Sequence, residues 1–469
     1  MKLIHYIGAR YCLVALLVVL VSSNSSCIND DGIVPPAEQE EDNVVQVNPE
    51  DRLPQVSINT NGALIVDEPK INAQMTINTP NGVDFEGKIG IEIRGKSSQM
   101  FPKKSFGFET RDADDEDLDL SLLGLPEESD WIFYAPYSDK SLIRNKLIYD
   151  LSNEIGRYAS RSQFVEVTIN DFYQGVYVFM EKLKRDSERI DVNKLNEDEI
   201  SGEDLTGGYI LKIDKADGPS FGTDYTDFNS FPSSYTPNNS NAGQSVRFLY
   251  EHPKEEDITV EQKAYISGYM QQFEDALASD DFADPLVGYA AFIDADSFID
   301  FFLLNELANN VDGYRLSTFL QKDKNGKLQM GPIWDFNLAF GNADYCSGGE
   351  TNVWAYKFNE RCPGDFWQIP FWWDRLLQDP AFVNQLKERW NTLRSGPFSQ
   401  TSIHAKIDAD IAMLTKAGAI GNNFNTWRIL GTYIWPNNFV GSSHDEEVDY
   451  LKGWINDRLT WLDGTIEAL

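Results

Sequence analysis

Histidine and cysteine are scarce in this chain, four of each among 469 residues. The histidines stand far apart, at 5, 252, 404 and 444, which excludes a His-rich metal site built from sequence neighbours. Basic residues are also few: 40 Lys and Arg face 74 Asp and Glu, a formal charge of −34. That balance excludes a nucleic-acid binder, because affinity for a phosphate backbone comes from Lys and Arg. It also disfavours docking on an anionic membrane surface. Long apolar runs are missing too. The run of ten from Cys12 to Val21 is half the roughly 20 residues that span a bilayer. No internal repeat is visible, and no low-complexity tract follows residue 55. What the chain does have is 42% hydrophobic residues, with 11 Trp and 28 Phe, ample for a large buried core.

Residues 1–26 read as a signal segment: Lys2 and Arg10, the apolar run, then small polar residues. Ser25-Ser26-Cys27 resembles a bacterial lipoprotein cleavage box with Cys27 as the lipidated residue, although Asn24 stands where Leu or Val is usual. A plain secretory signal with a free cysteine is the alternative. The expected location is export across the inner membrane and an outer-membrane lipoprotein, facing periplasm or surface. Residues 27–53 form an acidic tether, with eight acids and no base between Cys27 and Asp51. Such a stretch resembles the surface-export signals of Bacteroidetes lipoproteins. If Cys27 carries lipid, Cys346 and Cys362 remain. In an oxidising compartment they would close a loop contributing about 3 kcal/mol; two free buried thiols are the alternative.

From Pro54 to about Thr110 apolar residues alternate with period two, with Asn-Gly turns at 61–62 and 81–82, as strands joined by hairpins require. Ser141–Gly156 has helical spacing, and strands return at 163–169, 175–181 and 208–213. Asp217–Ser245, rich in Ser and Asn, reads as a loop. Beyond Ile258 the period turns helical: 260–278, 294–309, 370–377, 381–395, 402–417 and 445–469, with a hairpin at 317–334. The expectation is an α+β chain with a β-rich region over 54–257 and a mainly helical region over 258–469, and a site in the cleft between them.

Gly90-Ile-Glu-Ile-Arg-Gly95-Lys96-Ser97 spells the P-loop pattern, but its middle alternates like a strand. Pro102 and a further strand then leave no room for the helix that cradles phosphate. Strand, polar turn, strand fits better. Alternation puts Lys104 on the face of Phe106 and Phe108, so Lys104 rather than Lys103 is expected to point inward. A base on a strand beneath a small-residue turn is how protein kinases hold nucleotide phosphates, and an exposed strand-edge lysine is the plain alternative. Much later, Asp312 follows a buried-looking helix, and Asp335 lies between Trp334 and Phe336 in an apolar run. A carboxylate in such a setting needs a partner, either a metal or an Arg or helix cap.

These blocks together resemble the CotH family, the spore coat protein H type of atypical kinases. Arg94-Gly-Lys-Ser-Ser98 with Pro102-Lys-Lys-Ser-Phe is similar to its opening motif. Asp130-Trp-Ile-Phe-Tyr-Ala, Asp139-Lys-Ser-Leu-Ile-Arg144-Asn145, Tyr173–Glu181, Gly207–Lys212, Trp334-Asp335-Phe-Asn337 and the Asp457-Arg458 helix follow in the family's order, covering residues 54 to 469. The resemblance implies a bilobal protein-kinase-like fold and transfer of the γ-phosphoryl group of ATP to protein Ser or Thr, with Mg²⁺ or Mn²⁺. Residue by residue it makes Asp312 catalytic and Asp335 and Asn337 metal ligands. Arg94, Ser98, Lys103, Lys104 and Glu181 would lie at the nucleotide. Arg144 and Asn145 would either join the site or hold their helix against the sheet.

Two positions depart from the family's pattern: Ser317 stands where Asn is frequent, and Asn337 where a second Asp is frequent. Both are metal-shell positions in the resemblance; Asn337 removes one negative charge there while remaining an oxygen ligand, and Mg²⁺ binds chiefly through carboxylates and phosphates. Three readings stay open: an active kinase, a nucleotide binder of feeble turnover, and a cell-surface scaffold that has lost its chemistry. In the last, Trp354, Tyr356, Trp367, Trp372 and Trp373 would face a glycan or a surface protein, although the spacing of Trp372 and Trp373 fits core packing. His252 reads as a lone imidazole without a catalytic role, and the acidic run 112–119 as a solvated loop without the spacing of a Ca²⁺ site.

Overall fold

Strand alternation becomes a closed barrel. The structure, a computed structural model, describes residues 47–469 apart from Phe221; the signal segment, Cys27 and the tether up to residue 46 lie outside the described residues. The first seven strands are β1 (Gln55–Asn59), β2 (Ile71–Thr79), β3 (Gly82–Arg94), β4 (Ser105–Arg111), β5 (Asp130–Tyr134), β6 (Ser162–Ile169) and β7 (Phe172–Glu181). They pair in the order β1-β2-β3-β4-β5-β7-β6, and a parallel β1–β6 pairing closes the ring. Phe85, Ile89, Ile91, Phe106, Phe108, Trp131, Phe133, Tyr177 and Phe179 fill its interior.

Two of these strands are apolar on both faces because both are covered. In β5, Trp131 and Phe133 point into the barrel while Ile132 points out. In β7, Tyr177 and Phe179 point in while Val176, Val178 and Met180 point out. The outward set packs in one core with Leu147, Ile148 and Leu151 of α1 (Arg144–Glu154). Burying each of these side chains is worth about 1.5–3 kcal/mol.

A second sheet contains β8 (Tyr209–Ile213), β9 (Ser230–Pro232), β10 (Arg247–His252), β11 (Thr318–Lys322) and β12 (Leu328–Met330), ordered β12-β11-β8-β10-β9. It crosses the division expected at residue 257, since β8 pairs with β11 from Thr318↔Ile213 to Lys322↔Tyr209. Residues on both sides of 257 therefore share one sheet. The stretch 217–245 is not wholly loop: β9 lies in it, too short to show a period.

The helices are α2 (Val260–Ala278), α3 (Ala295–Ala308), α4 (Phe358–Arg361), α5 (Trp372–Leu376), α6 (Pro380–Arg394), α7 (Gln400–Lys416), α8 (Ala419–Thr426) and α9 (His444–Glu467). The chain is thus of mixed α+β class. No helix of the described residues is long and apolar enough to cross a membrane. Helix α3 is buried on every side, and its inward-facing acids are paired, Asp300 with Arg157 and Arg389 and Glu306 with Arg458. Asp294 caps its start, and Asn309, at φ 41°, ends it.

Glu306 of α3 and Arg458 of α9 form a fully buried ion pair at 3.1 Å. The pair is saturated: Glu306 also accepts from Tyr314 Oη and from the Ala355 and Tyr356 N–H groups. Arg458 also donates to the carbonyls of Glu306, Thr351 and Val353. Cys346 and Cys362 form a disulfide with Cα atoms 5.8 Å apart, fastening the loop that follows the site. Trp372 and Trp373 lie in the core; Trp354 packs on Phe302, Tyr356 and Trp461.

Candidate functional site

Five chain segments converge on Asp335. The first is the turn after β3. Gly95 takes φ 96°, and a Cβ there would collide with Ser98 Oγ, so the turn needs glycine. A single 3₁₀ turn, Ser97–Met100, follows rather than a helix, which confirms that the P-loop spelling has no P-loop structure.

The second segment follows β8 and was not singled out from the sequence. Asp214 and Lys215 stand just past the strand's end. Lys215 Nζ lies 3.1 Å from Ser97 Oγ and 5.1 Å from the Trp367 ring centroid. Lys96 reaches Asp217 at 2.9 Å, so the turn and this loop are laced together. The only available sequence signal was a base and an acid beyond a buried strand, Ile213-Asp214-Lys215. Further along, Gly218 to Gly222 spells Gly-x-Ser-x-Gly, but Ser220 sits in an exposed loop and no helix follows it, so no serine nucleophile elbow forms.

The third segment carries Asp312, just past α3. Its N–H donates to Asn310 Oδ1 at 3.2 Å, and its carboxylate accepts from Arg315 Nη2 at 2.7 Å and from Tyr345 Oη at 3.4 Å. Arg315 is buried, stacked 3.9 Å over the Phe358 ring and also bonded to Asp365 at 3.2 Å. The carboxylate is thus fixed on one side and open on the other.

The fourth segment is Trp334–Asn337. Asp335 has a left-handed backbone, φ 60°. Its N–H donates to Tyr149 Oη at 3.0 Å, and the next N–H, on Phe336, donates to Asn145 Oδ1 at 2.7 Å. Trp334 stacks on Tyr149 at 6.0 Å, with the Arg94 guanidinium 5.6 Å from its ring centroid. The fifth segment is α1, which supplies both acceptors. Its Arg144 instead pairs with Asp139 at 2.5 Å in the interior.

The electrostatics of Asp335 follow from this crowding. Burial, then Asp312 and Asp214, push its carboxyl up to about 6, against the pull of Arg94 and Lys215. Burial likewise raises Asp214, which Lys212 and the Ser317 and Lys215 N–H groups oppose. The cluster gathers carboxylate oxygens against the partial balance of Arg94 and Lys215, and oxygen donors of this kind suit a hard divalent cation. Among the described residues no three His, Cys, Asp or Glu side chains are disposed to hold a metal alone. A divalent cation held here would take oxygen donors from Asp335 and Asp312 and would need its remaining donors from outside the protein's carboxylates.

The remaining expected residues lie elsewhere or do other work. The expectation for the two lysines is reversed: Lys103 is buried and Lys104 half-buried. Because β4 begins only at Ser105, strand alternation does not extend back through the pair. Lys103 Nζ donates to the Val176 carbonyl and to Asn423 Oδ1 of α8, and its burial without a carboxylate pulls its ammonium well below the usual lysine range. Lys104 Nζ donates to the Gln99 carbonyl beneath the turn. Ser98 belongs to that turn. The Glu181 carboxylate is taken up by Arg161 at 2.6 Å and by Tyr158 Oη at 3.1 Å.

Residues 91–462 match the family model described as CotH kinase protein, which takes in every segment named above. The chain belongs to the CotH kinase family. A comparison with curated proteins found no match. Within the CotH match, Asp312, Asp335 and Arg94 stand together as the motif order implies, and Asp214 and Lys215 join them.

Proposed function

We propose that this CotH-family protein is an exported, lipid-anchored kinase that transfers the γ-phosphoryl group of ATP to a protein Ser or Thr hydroxyl with Mg²⁺ or Mn²⁺. The observation that carries the reading is the convergence of Asp312, Asp335 and Asp214 with Arg94 and Lys215. On this reading the barrel with α1 acts as one kinase lobe and the helical region as the other, and a groove receives the nucleotide.

The Asp335 carboxylate and the Asn337 amide oxygen would hold the cation, which would supply neutralisation of phosphate charge. Arg94 and Lys215 meet the remaining phosphate charge, Lys215 taking the part expected of Lys103 or Lys104. Asp312, steadied by Arg315 and Tyr345, accepts the proton of the acceptor hydroxyl. That oxygen bonds to the γ-phosphorus as the bond to the β–γ bridging oxygen breaks, and ADP leaves. Cys27 anchors the protein to the membrane, and no nucleic acid takes part.

The test is thermal unfolding with ATP in Mg²⁺, Mn²⁺ or no metal. Ligand at a hundred times its dissociation constant stabilises by about 2.7 kcal/mol. A metal-dependent rise that Asp335→Ala abolishes is expected; no rise with either metal refutes the nucleotide site. The neutral Asn337 and Ser317 favour a second reading, a nucleotide binder of feeble turnover. Binding without phosphate transfer to any protein in a membrane extract would select it.

A further inference from the structure

Backbone strain in this molecule is concentrated around the site. Among the described residues fifteen non-glycine positions have positive φ, and eight of them fall between Asn309 and Ser347. Asp335 is one, at φ 60°. A left-handed backbone at a residue other than glycine is unfavourable, and it persists only where the surroundings over-determine it. For Asp335 the surroundings are two acceptors from one helix. Tyr149 Oη takes the Asp335 N–H at 3.0 Å, and Asn145 Oδ1 takes the Phe336 N–H at 2.7 Å.

Asn145 and Tyr149 are four positions apart, one turn along the same face of α1. Their spacing therefore matches two consecutive N–H groups of the opposing segment. Both side chains are buried, and Tyr149 also stacks on Trp334, the residue before Asp335. Helix α1 is itself fixed by its apolar face against β5 and β7. The helix thus connects a rigid barrel wall to the backbone of one acidic residue.

We infer that Asn145 and Tyr149 are positioning residues: together they clamp the backbone on either side of Asp335 in its left-handed form and so aim its carboxylate into the groove. The assignment rests on the reading of Asp335 as a ligand of the nucleotide's metal. Without the clamp the segment relaxes toward the ordinary right-handed or extended regions, and the carboxylate turns out of place.

The test uses Tyr149→Phe, which keeps the stacked ring and removes the acceptor, Asn145→Leu, which removes the other, and Asn145→Asp, which restores an acceptor oxygen. Two quantities are measured on the full chain: Mn²⁺ binding with ATP by electron paramagnetic resonance, and hydrogen exchange of the peptide containing Asp335 and Phe336. The clamp predicts faster exchange there, and Mn²⁺ binding weaker by roughly three- to ten-fold in Tyr149→Phe and Asn145→Leu. Asn145→Asp should return exchange to near the wild-type rate. Because the clamp acts only through Asp335, adding Tyr149→Phe to Asp335→Ala should weaken Mn²⁺ no further than Asp335→Ala alone, whereas a merely structural role gives an additive loss. Wild-type Mn²⁺ affinity in both single variants overturns the inference, as does unchanged exchange. Absence of Mn²⁺ binding in the wild type overturns the metal reading instead, and exchange then judges the clamp by itself.

Discussion

Asp335→Asn should make the protein more stable at neutral pH while removing its metal-dependent nucleotide response. The carboxyl is raised from an ordinary value near 4 to about 6, by burial first and then by Asp312 and Asp214. A folded-state pKa above the unfolded one means that the folded chain holds this proton more tightly. The unfolded carboxyl ionises from about pH 4 upward, and ionising the folded one costs free energy, in full above about pH 6. Two units correspond to about 2.7 kcal/mol, and half-burial with solvent screening brings that nearer to 1.5–2.5. An asparagine of the same shape escapes the cost. For a folded unit of this length the unfolding entropy is roughly 0.9 kcal/mol/K, so the variant should melt about 2–3 °C higher at pH 7.5. Near pH 4 the two should melt together. Scanning fluorimetry without divalent ions, at one scan rate across pH 4–8, reads the difference directly. A variant that melts no higher at pH 7.5, or whose excess stability ignores pH, refutes the account of Asp335 as a crowded carboxylate. With Mn²⁺ and ATP the order should reverse, since only the wild type gains a ligand.

Arg458→Met strands the Glu306 carboxylate in the interior and should cost about 3–5 kcal/mol, read as a melting point several degrees lower; adding Glu306→Gln should recover part of the loss. Reducing the Cys346–Cys362 bond opens a short loop worth about 3 kcal/mol, so dithiothreitol should lower the melting temperature of the wild type and leave Cys346→Ser/Cys362→Ser unmoved. Lys103→Met should keep nucleotide binding, since its ammonium faces a carbonyl and an amide, whereas Lys215→Met should weaken ATP binding several-fold in a fluorescence titration.

What the sequence made legible was local order. Helical spacing placed α2, α3, α6, α7 and α9 within a few residues, because each buries one face or, for α3, every face. Strand alternation found the barrel staves except β5, but not that β1 joins β6 in parallel to close them, a contact spanning more than a hundred residues. Helix α8 escaped notice: Ala-Ile-Gly-Asn-Asn-Phe-Asn-Thr has poor helix formers, and its place is fixed by Asn423, which bonds Lys103 and the Val176 N–H. The same contact occupies the Lys103 ammonium. In the site, Asp312 and Asp335 were legible as acids among apolar neighbours. Asp214 and Lys215 were not, because nothing in a strand-ending Ile-Asp-Lys says which loop it will face.

The two departures from the family's pattern look different once the chain is folded. Ser317, at φ 48°, contributes its backbone N–H to the Asp214 carboxylate, so that position supports a neighbouring acid through its main chain whatever its side chain does. Asn337 removes one negative charge, yet Asp335 still feels two other carboxylates, Asp312 and Asp214, against the cations Arg94 and Lys215. On the proposed reading, the pull on a divalent cation would be a sum over that whole cluster, of which Asn337 removes one member. Geometry is less forgiving, since Mg²⁺ demands near-octahedral oxygen donors and an amide supplies one lone donor where a carboxylate offers two. If the proposed kinase reading holds, the consequence of Asn337 falls on how the phosphates are held during transfer, and much less on whether a cation and nucleotide bind.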